Sequence, residues 1–423
     1  MKKIHIISGG TVSHIRPHLA LCAPAYGSAG MKIANILRDR WKNLGHSTSA
    51  DHLNLHQTRM ATGYPNRKLE TNEDVSKLLD KLIADPDTGV IFMPVALCDF
   101  EVFHIDDGPK YDGGLNIGKE YSRLKTSDGQ RTLMLKPAEK LIGKIRKERK
   151  DIFLVGFKTT TGATENQMFD AGMNLLKRNS CNLVLVNDIQ KRLNMILTPE
   201  MARYCVTEDR DEALRELVGM TTARSGLTFH RTNLVGGRLL GWHGPKVPHS
   251  LREVVNHCIK HKAYKAFNGV TVGHFGFLQK VEGQKILYSS RRKKNYNFQE
   301  DRDLVGVVFN DGIPTAHGAK PSAGVRSQYE LFKYNPDYDC VIHFHCPLKD
   351  GSKIRIRPQK HLECGSLECG MNTLDGMTEY CDGVAAVMLD KHGPNILFKR
   401  DIDPEVVIDF IENNFDLSRS TSE

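Results

Sequence analysis

No stretch of this sequence is long and apolar enough to cross a bilayer; the longest apolar candidate, Val90–Leu97, has the length of a buried strand. The opening residues MKKIHIIS carry two lysines and only a short apolar run ahead of Ser8-Gly9-Gly10, which predicts a first strand rather than a signal peptide. No Cys-x-x-Cys pair occurs among the ten cysteines, and they are scattered through the chain. That argues against a disulfide framework or a cysteine zinc cluster and for free thiols in a reducing cytoplasm. Internal repeats and low-complexity tracts are absent too. What remains is a chain of 423 residues, 40% hydrophobic and 26% charged, a globular composition too long for one ordinary core. Two cytoplasmic domains are expected. The net charge of +9 favours anionic partners, either phosphorylated small molecules or nucleic acid.

Residues 1 to about 206 alternate two patterns. Short apolar runs at Ile4–Ser8, Val90–Ala96, Ile152–Phe157 and Leu183–Val186 read as strands buried on both faces. Helical spacing is found in Met31–Trp41, Val75–Ile83, Ala138–Lys147 and Gln167–Arg178. Strand alternating with helix predicts an α/β fold with a parallel sheet and helices on both faces. A short helix ending near Gly219 and the polar segment Thr221–Gly226 place the domain boundary, giving domains 1–219 and 220–423. In the second half, strand pairs such as Gly273–Leu278 with Lys285–Ser289 meet across the turn-like Glu282-Gly283.

In the first half the opening strand runs into Gly9-Gly10-Thr11, and Gly27-Ser28-Ala29-Gly30 precedes a helix. Glycines let backbone N–H groups approach phosphate oxygens, and a helix N-terminus adds partial positive charge. They serve equally in a tight turn with close packing, and they do not form the GxGxxG dinucleotide fingerprint, so NAD is not implied. Further on come Val95-Ala96-Leu97-Cys98-Asp99-Phe100, Leu154-Val155-Gly156-Phe157-Lys158-Thr159-Thr160, Leu176-Lys177-Arg178-Asn179 and Leu183-Val184-Leu185-Val186-Asn187-Asp188. As a series these resemble the phosphopantothenoylcysteine synthetase family, over nearly all of residues 1–206. The resemblance implies a Rossmann-like parallel sheet with flanking helices. It also implies CTP or ATP with Mg2+ as cofactor, held by Gly9, Gly10, Thr11, Gly27, Ser28, Gly30, Asp99, Phe157 and Asn187. Activation of a carboxylate as its acyl-nucleotide needs cations to neutralise the departing pyrophosphate. Lys125, Lys136 and Lys140 stand in the segment resembling the family's lysine loop, and Lys125 best matches its catalytic lysine. Lysines at this density also serve simply to solvate a surface. Two positions depart from the family: Ala23-Pro24-Ala25 stands where it has an asparagine before the glycine loop, and Thr159 replaces a glutamate.

In the second half the run Cys340-Val341-Ile342-His343-Phe344-His345-Cys346-Pro347 is the most informative. Residues two apart on a strand point the same way, so His343 and His345 share one face and Ile342, Phe344 and Cys346 take the other. Two imidazoles so placed suit a single zinc or other divalent ion, with His392 as third candidate ligand, or a structural pair satisfied by hydrogen bonds. Pro321-Ser322, a helix through Gln328–Tyr334, Asn335-Pro336-Asp337, the His-x-His strand, Cys364-Gly365-Ser366 and His392-Gly393 follow in order. Together they resemble the class II aldolase and adducin-head family over about residues 226–415. This implies a class II aldolase-like α/β/α domain, a zinc ion on His343, His345 and His392, and a homo-oligomer. It further implies a phosphorylated substrate whose phosphate is held by Gly269, Thr271, Ser289 and Ser290; ordinary hairpin chemistry accounts for those loops equally. The family's proton-transfer glutamate falls on Gly324, which cannot move a proton. Glu330, Glu363 and Glu368 are the replacement carboxylates to consider, with Glu330 otherwise read as a helix-surface residue. The basic run Arg291-Arg292-Lys293-Lys294 with Tyr296 and Phe298 lacks an accompanying nucleic-acid fold, so a phosphate-site rim or solvated loop is expected and nucleic acid is not.

Overall fold

The computed structural model describes residues 2–43, 52–62, 68–106, 116–281 and 283–422. Its chain divides into two compact units, Met1–Pro199 with Tyr204–Ser225, and Glu200–Arg203 with Gly226–Glu423. Among the described residues no helix is long and apolar enough to cross a membrane.

The first unit is built on strands β1 (Lys3–Gly10), β2 (Leu53–Gln57), β3 (Thr88–Phe92), β4 (Phe153–Thr160), β5 (Leu183–Asp188), β6 (Asn194–Leu197) and β7 (Arg203–Thr207). In space they run β7-β6-β5-β4-β3-β1-β2, an eight-stranded sheet once Val95–Ala96 is added beside the end of β1. The five strands from β5 to β2 are mutually parallel, in the order 2-1-3-4-5 by chain sequence. Their residues are apolar without alternation because both faces are covered: Ile6, Ile7, Ile91, Phe92, Leu154, Val155 and Leu183–Val186 are all buried.

The covering helices are α1 (Ser28–Asn43), α2 (Asn72–Ala84), α3 (Ile142–Glu148), α4 (Glu165–Asn179) and α5 (Arg210–Arg224). α1 turns Ile33, Ala34, Leu37 and Trp41 inward. Burying each large side chain contributes roughly 1.5–3 kcal/mol. Capping boxes start α2 (Thr71 with Asp74) and α4 (Thr164 with Gln167). Three boundaries differ from the periodicity. α1 begins at Ser28, not Met31, because glycine spacing hides a helix start. Residues 138–141 stay outside α3. And α5 runs five residues past Gly219, burying Met220, Thr221 and Arg224.

The second unit is an antiparallel sheet between two helical layers. Its central strands are β8 (His274–Val281), β9 (Gln284–Ser290), β10 (Leu304–Asn310), β11 (Ile313–His317), β12 (Cys340–His343), β13 (Val384–Leu389) and β14 (Gly393–Phe398), ordered β11-β10-β9-β8-β12-β14-β13. The β8–β9 turn includes Glu282, which lies outside the described residues. α6 (His249–Lys260) and α9 (Pro404–Asn414) supply Val254, Val255, Val407 and Ile411 to one core, which takes Phe275, Ile342, Phe344 and Cys346 from the sheet. On the opposite face α7 (Val325–Tyr334), with α8 (Leu367–Gly376) beside it, packs Leu331 and Phe332 against Leu287, Val305, Val341 and Leu397. The two sets alternate along each strand, so parity alone sends His343 and His345 to the α7 face.

Candidate functional site

Three histidines meet at the ends of β12 and β13. His343 closes β12, His345 follows two residues on, and His392 stands in the turn between β13 and β14. Their ring centroids are 5.0 Å (His343–His345), 4.7 Å (His343–His392) and 4.8 Å (His345–His392) apart. One ring nitrogen from each lies within 4.8 Å of the others, and all three side chains are buried. The turn reaches this point because Gly393 has φ of 140° and carries no Cβ; an added one would overlap the Phe344 carbonyl oxygen. A second tie comes from the C-terminal segment, where Asp416 N–H donates to Pro347 O (3.0 Å), Thr421 N–H to His345 O (3.1 Å) and the Thr421 hydroxyl to His392 O (3.2 Å).

His343 Nδ1–H donates to the Pro394 carbonyl at 2.7 Å, which leaves Nε2 as a lone-pair donor aimed at the cluster. Burial first, then the neighbouring rings of His392, His274 and His345, hold the His343 pKa well below its ordinary value. A buried group of three imidazoles, one of them held in a fixed tautomer, suits a divalent cation, so the residues present fit the zinc that the sequence implied.

A fourth ring completes the picture. His274 begins β8 directly opposite His343 in the strand register, with centroids 4.8 Å apart. Its Nδ1 accepts from the Gln328 amide at 2.7 Å, so its proton sits on Nε2, and burial holds its pKa down to about 3. This ring fills the space at Gly324: a Cβ added there would overlap Cδ2 and Nε2 of His274. Where the aldolase pattern has a carboxylate, this chain therefore has a neutral imidazole from another strand. Sequence reasoning placed His274 on a strand, Gly273–Leu278, but gave it no role; its β8–β12 pairing spans some seventy residues, beyond reach of local spacing. The alternative carboxylates are occupied. Glu330 is buried, not on a helix surface as expected, because its carboxylate pairs with Arg326 at 3.2 Å within α7. Glu368 accepts from the Thr228 N–H. Glu363 is partly buried ahead of α8, outside the cluster.

The four residues expected at a phosphate divide. Gly269 sits at an exposed Asn268-Gly269 turn with both residues at positive φ, the usual two-residue hairpin geometry. The Thr271 hydroxyl is engaged with Lys294 O and Tyr296 N–H. Ser290 Oγ accepts from Phe275 N–H. Ser289 differs: it is fully buried on the α7 face, and among the described residues its hydroxyl has no hydrogen-bond partner. In the basic run Arg291 and Lys294 both pair with Asp301 and Tyr296 is buried, while Phe298 is exposed. None of the ten cysteines is in a disulfide.

In the first unit the predicted residues line the carboxyl ends of the parallel strands. Gly9, Gly10 and Thr11 end β1, Phe157 and Thr159 lie near the end of β4, and Asn187 pairs with Thr159 from β5. The strand order reverses between β1 and β3, which is where open α/β sheets hold ligands. Yet the glycines are accounted for by packing. A Cβ at Gly9 would overlap Thr58 Oγ1, at Gly10 the Ala23 carbonyl and at Gly30 the Ser8 side chain; Gly27, at φ of 80°, abuts Ala61. Thr11 is buried and ties β1 to the Cys98 N–H (2.9 Å) and Asn72 (2.6 Å). Ser28 opens α1. Asp99 pairs with Lys140, and Lys136 with Glu101 at 3.7 Å, all on the hairpin Phe100–Asp106 with Thr132–Pro137 or its ends. Lys125 is exposed just ahead of a short 3-10 turn.

No protein-family model matches the chain. Over 191 residues it is 22% identical to the coenzyme A biosynthesis bifunctional protein CoaBC of Thermococcus kodakarensis, covering 45% of this chain and 42% of that one. The chain thus spans less than half the length of the curated relative it matches. Among solved structures it is similar to the DNA/pantothenate metabolism flavoprotein of Streptococcus pneumoniae (19% identity, 52% of this chain and 98% of that one, TM-score 0.41). Another part is similar to L-fuculose 1-phosphate aldolase (17% identity, 40% of this chain and 82% of that one, TM-score 0.29). One part of the chain is thus similar to CoaBC, and another part is similar to L-fuculose 1-phosphate aldolase.

Proposed function

We propose that this protein is a two-domain metabolic enzyme. Its residues 220–423 form a metal-dependent lyase-type site for a phosphorylated sugar or similar hydroxy-ketone. Its residues 1–219 form a CTP- or ATP-dependent, ligase-like site. Homo-oligomeric assembly is part of the same proposal. The observation that carries it is the convergence of the buried imidazoles of His343, His345 and His392, one of them locked by Pro394. A divalent ion bound there supplies Lewis-acid polarisation of a hydroxy-ketone's oxygens. The chain's own residues do the rest. Pro394 fixes the tautomer of His343, and Ser289 offers an uncommitted hydroxyl on the same face. His274 presents a neutral ring in place of a carboxylate. On the nucleotide side Lys125, Lys136 and Lys140 provide cations for a departing pyrophosphate.

Elemental analysis of the purified protein, with mass spectrometry of co-purified small molecules, tests both halves. The expected result is one divalent ion per buried cluster, turnover of at least one phosphosugar from a broad panel, and loss of both in His343→Ala with nucleotide retention unchanged. Gly324 and the packed glycines favour a second reading, a nucleotide- and metal-binding fusion without either reaction. Metal-loaded protein that leaves the whole panel untouched would establish that reading instead.

A further inference from the structure

A second group of metal-ligating side chains lies on the surface of the second unit, away from the buried cluster. His257 is in the last turn of α6, His261 caps that helix, and Glu412 comes from the last turn of α9. Four residues apart on a helix, the two histidines fall on one face. Their rings stack, with centroids 4.3 Å apart and planes inclined by 22°. Glu412 Oε1 approaches His257 Nε2 to 3.2 Å, and one ligand atom from each of the three residues lies within 4.8 Å of the others.

Among the described residues nothing uses these atoms fully. The contact between His257 Nε2 and Glu412 is close but not aligned as a hydrogen bond, and that buried nitrogen has no hydrogen-bond partner among the described residues. One divalent cation placed between the three residues would satisfy both imidazole lone pairs and the carboxylate together. The place also suits positive charge, because α6 ends there and its last carbonyls carry negative partial charge.

We infer that His257, His261 and Glu412 form a second metal site, for a borderline divalent transition ion such as Zn2+, Ni2+ or Co2+. Two imidazoles and one carboxylate match that class and not the all-oxygen shell of Ca2+ or Mg2+. With two of the three ligands exposed, water completes the coordination, and binding is weaker than in the buried cluster. The ion joins the end of α6 to the end of α9. Just beyond α9, the chain continues to Thr421, whose backbone and hydroxyl hold the His345 and His392 carbonyls. The site does not depend on the lyase reading of the buried cluster.

Titration of the metal-stripped full chain with Co2+, followed by visible absorption and equilibrium dialysis, tests the inference. Two ions per chain are expected in the wild type. His261→Gln and Glu412→Gln, both at exposed positions, should each lower the count to one, with the weaker constant lost or reduced at least tenfold and the stronger one unchanged. His343→Ala should remove only the stronger. A wild-type chain whose metal count and constants are unchanged in both His261→Gln and Glu412→Gln overturns the proposal. Retention of the weaker ion in His343→Ala supports it even if the buried cluster proves to have no enzymatic role. Unfolding curves recorded without metal should superimpose for wild type and the two Gln variants, which separates ligand loss from misfolding.

Discussion

The two units use their conspicuous residues in opposite ways. In the first, glycines that looked like a phosphate cradle are pressed against Thr58, Ala23 and Ser8, so the need for a missing side chain is met inside the protein. In the second, histidines that read equally well as core residues converge from separate turns onto one another. A glycine's signal is an absence, which a tight turn or a ligand explains equally. An imidazole's signal has a direction, and strand parity says where it goes.

The strongest way to break this contrast is Gly393→Ala. With φ of 140° and the Phe344 carbonyl in the way, the variant is expected to lose about 3 kcal/mol or more in urea unfolding and most of its bound metal. Retention of full metal content would mean that the His392 turn does not set the cluster. Next is a matched pair. Gly9→Ala, at φ of 105° against Thr58, should cost about 2–3 kcal/mol with no nucleotide present, whereas Gly269→Ala, at φ of 74° in open space, should cost about 1 kcal/mol. If Gly9→Ala unfolds like wild type but no longer retains nucleotide, the glycine serves a ligand after all and the two units are alike.

A third test, confined to the first unit, uses pH. Burial, with a lesser contribution from His56, holds His5 in β1 down to about 4. The unfolded ring takes up its proton near 6.5 and the folded one only near 4. Stability present above pH 6.5 is therefore lost as the pH falls from about 6.5 to 4, with no further loss from this group below that. Allowing for solvent screening, the loss is on the order of 1–2 kcal/mol. Urea midpoints of His5→Leu should lack this slope; an unchanged slope would assign it to other groups.

Much of this was legible in the sequence, for identifiable reasons. The parallel sheet was readable because Ile4–Ser8, Val90–Phe92 and Leu183–Val186 are apolar without alternation, the mark of strands covered twice. The orientation of His343 and His345 followed from Ile342, Phe344 and Cys346 taking the other face. Three things were hidden. The start of α1 at Ser28 was masked by glycines that look like a loop. Glu330 read as a surface residue because its partner Arg326 is one turn away on a helix whose depth spacing does not reveal. The exchange of a carboxylate at Gly324 for the ring of His274 depends on β8 lying beside β12, a pairing that only the folded sheet creates.

The link from Thr421 to the carbonyls of His345 and His392 has a mechanical consequence. One residue grips two ring-bearing segments by their backbones, so loosening that grip would alter the distance between two imidazoles at once without touching either side chain.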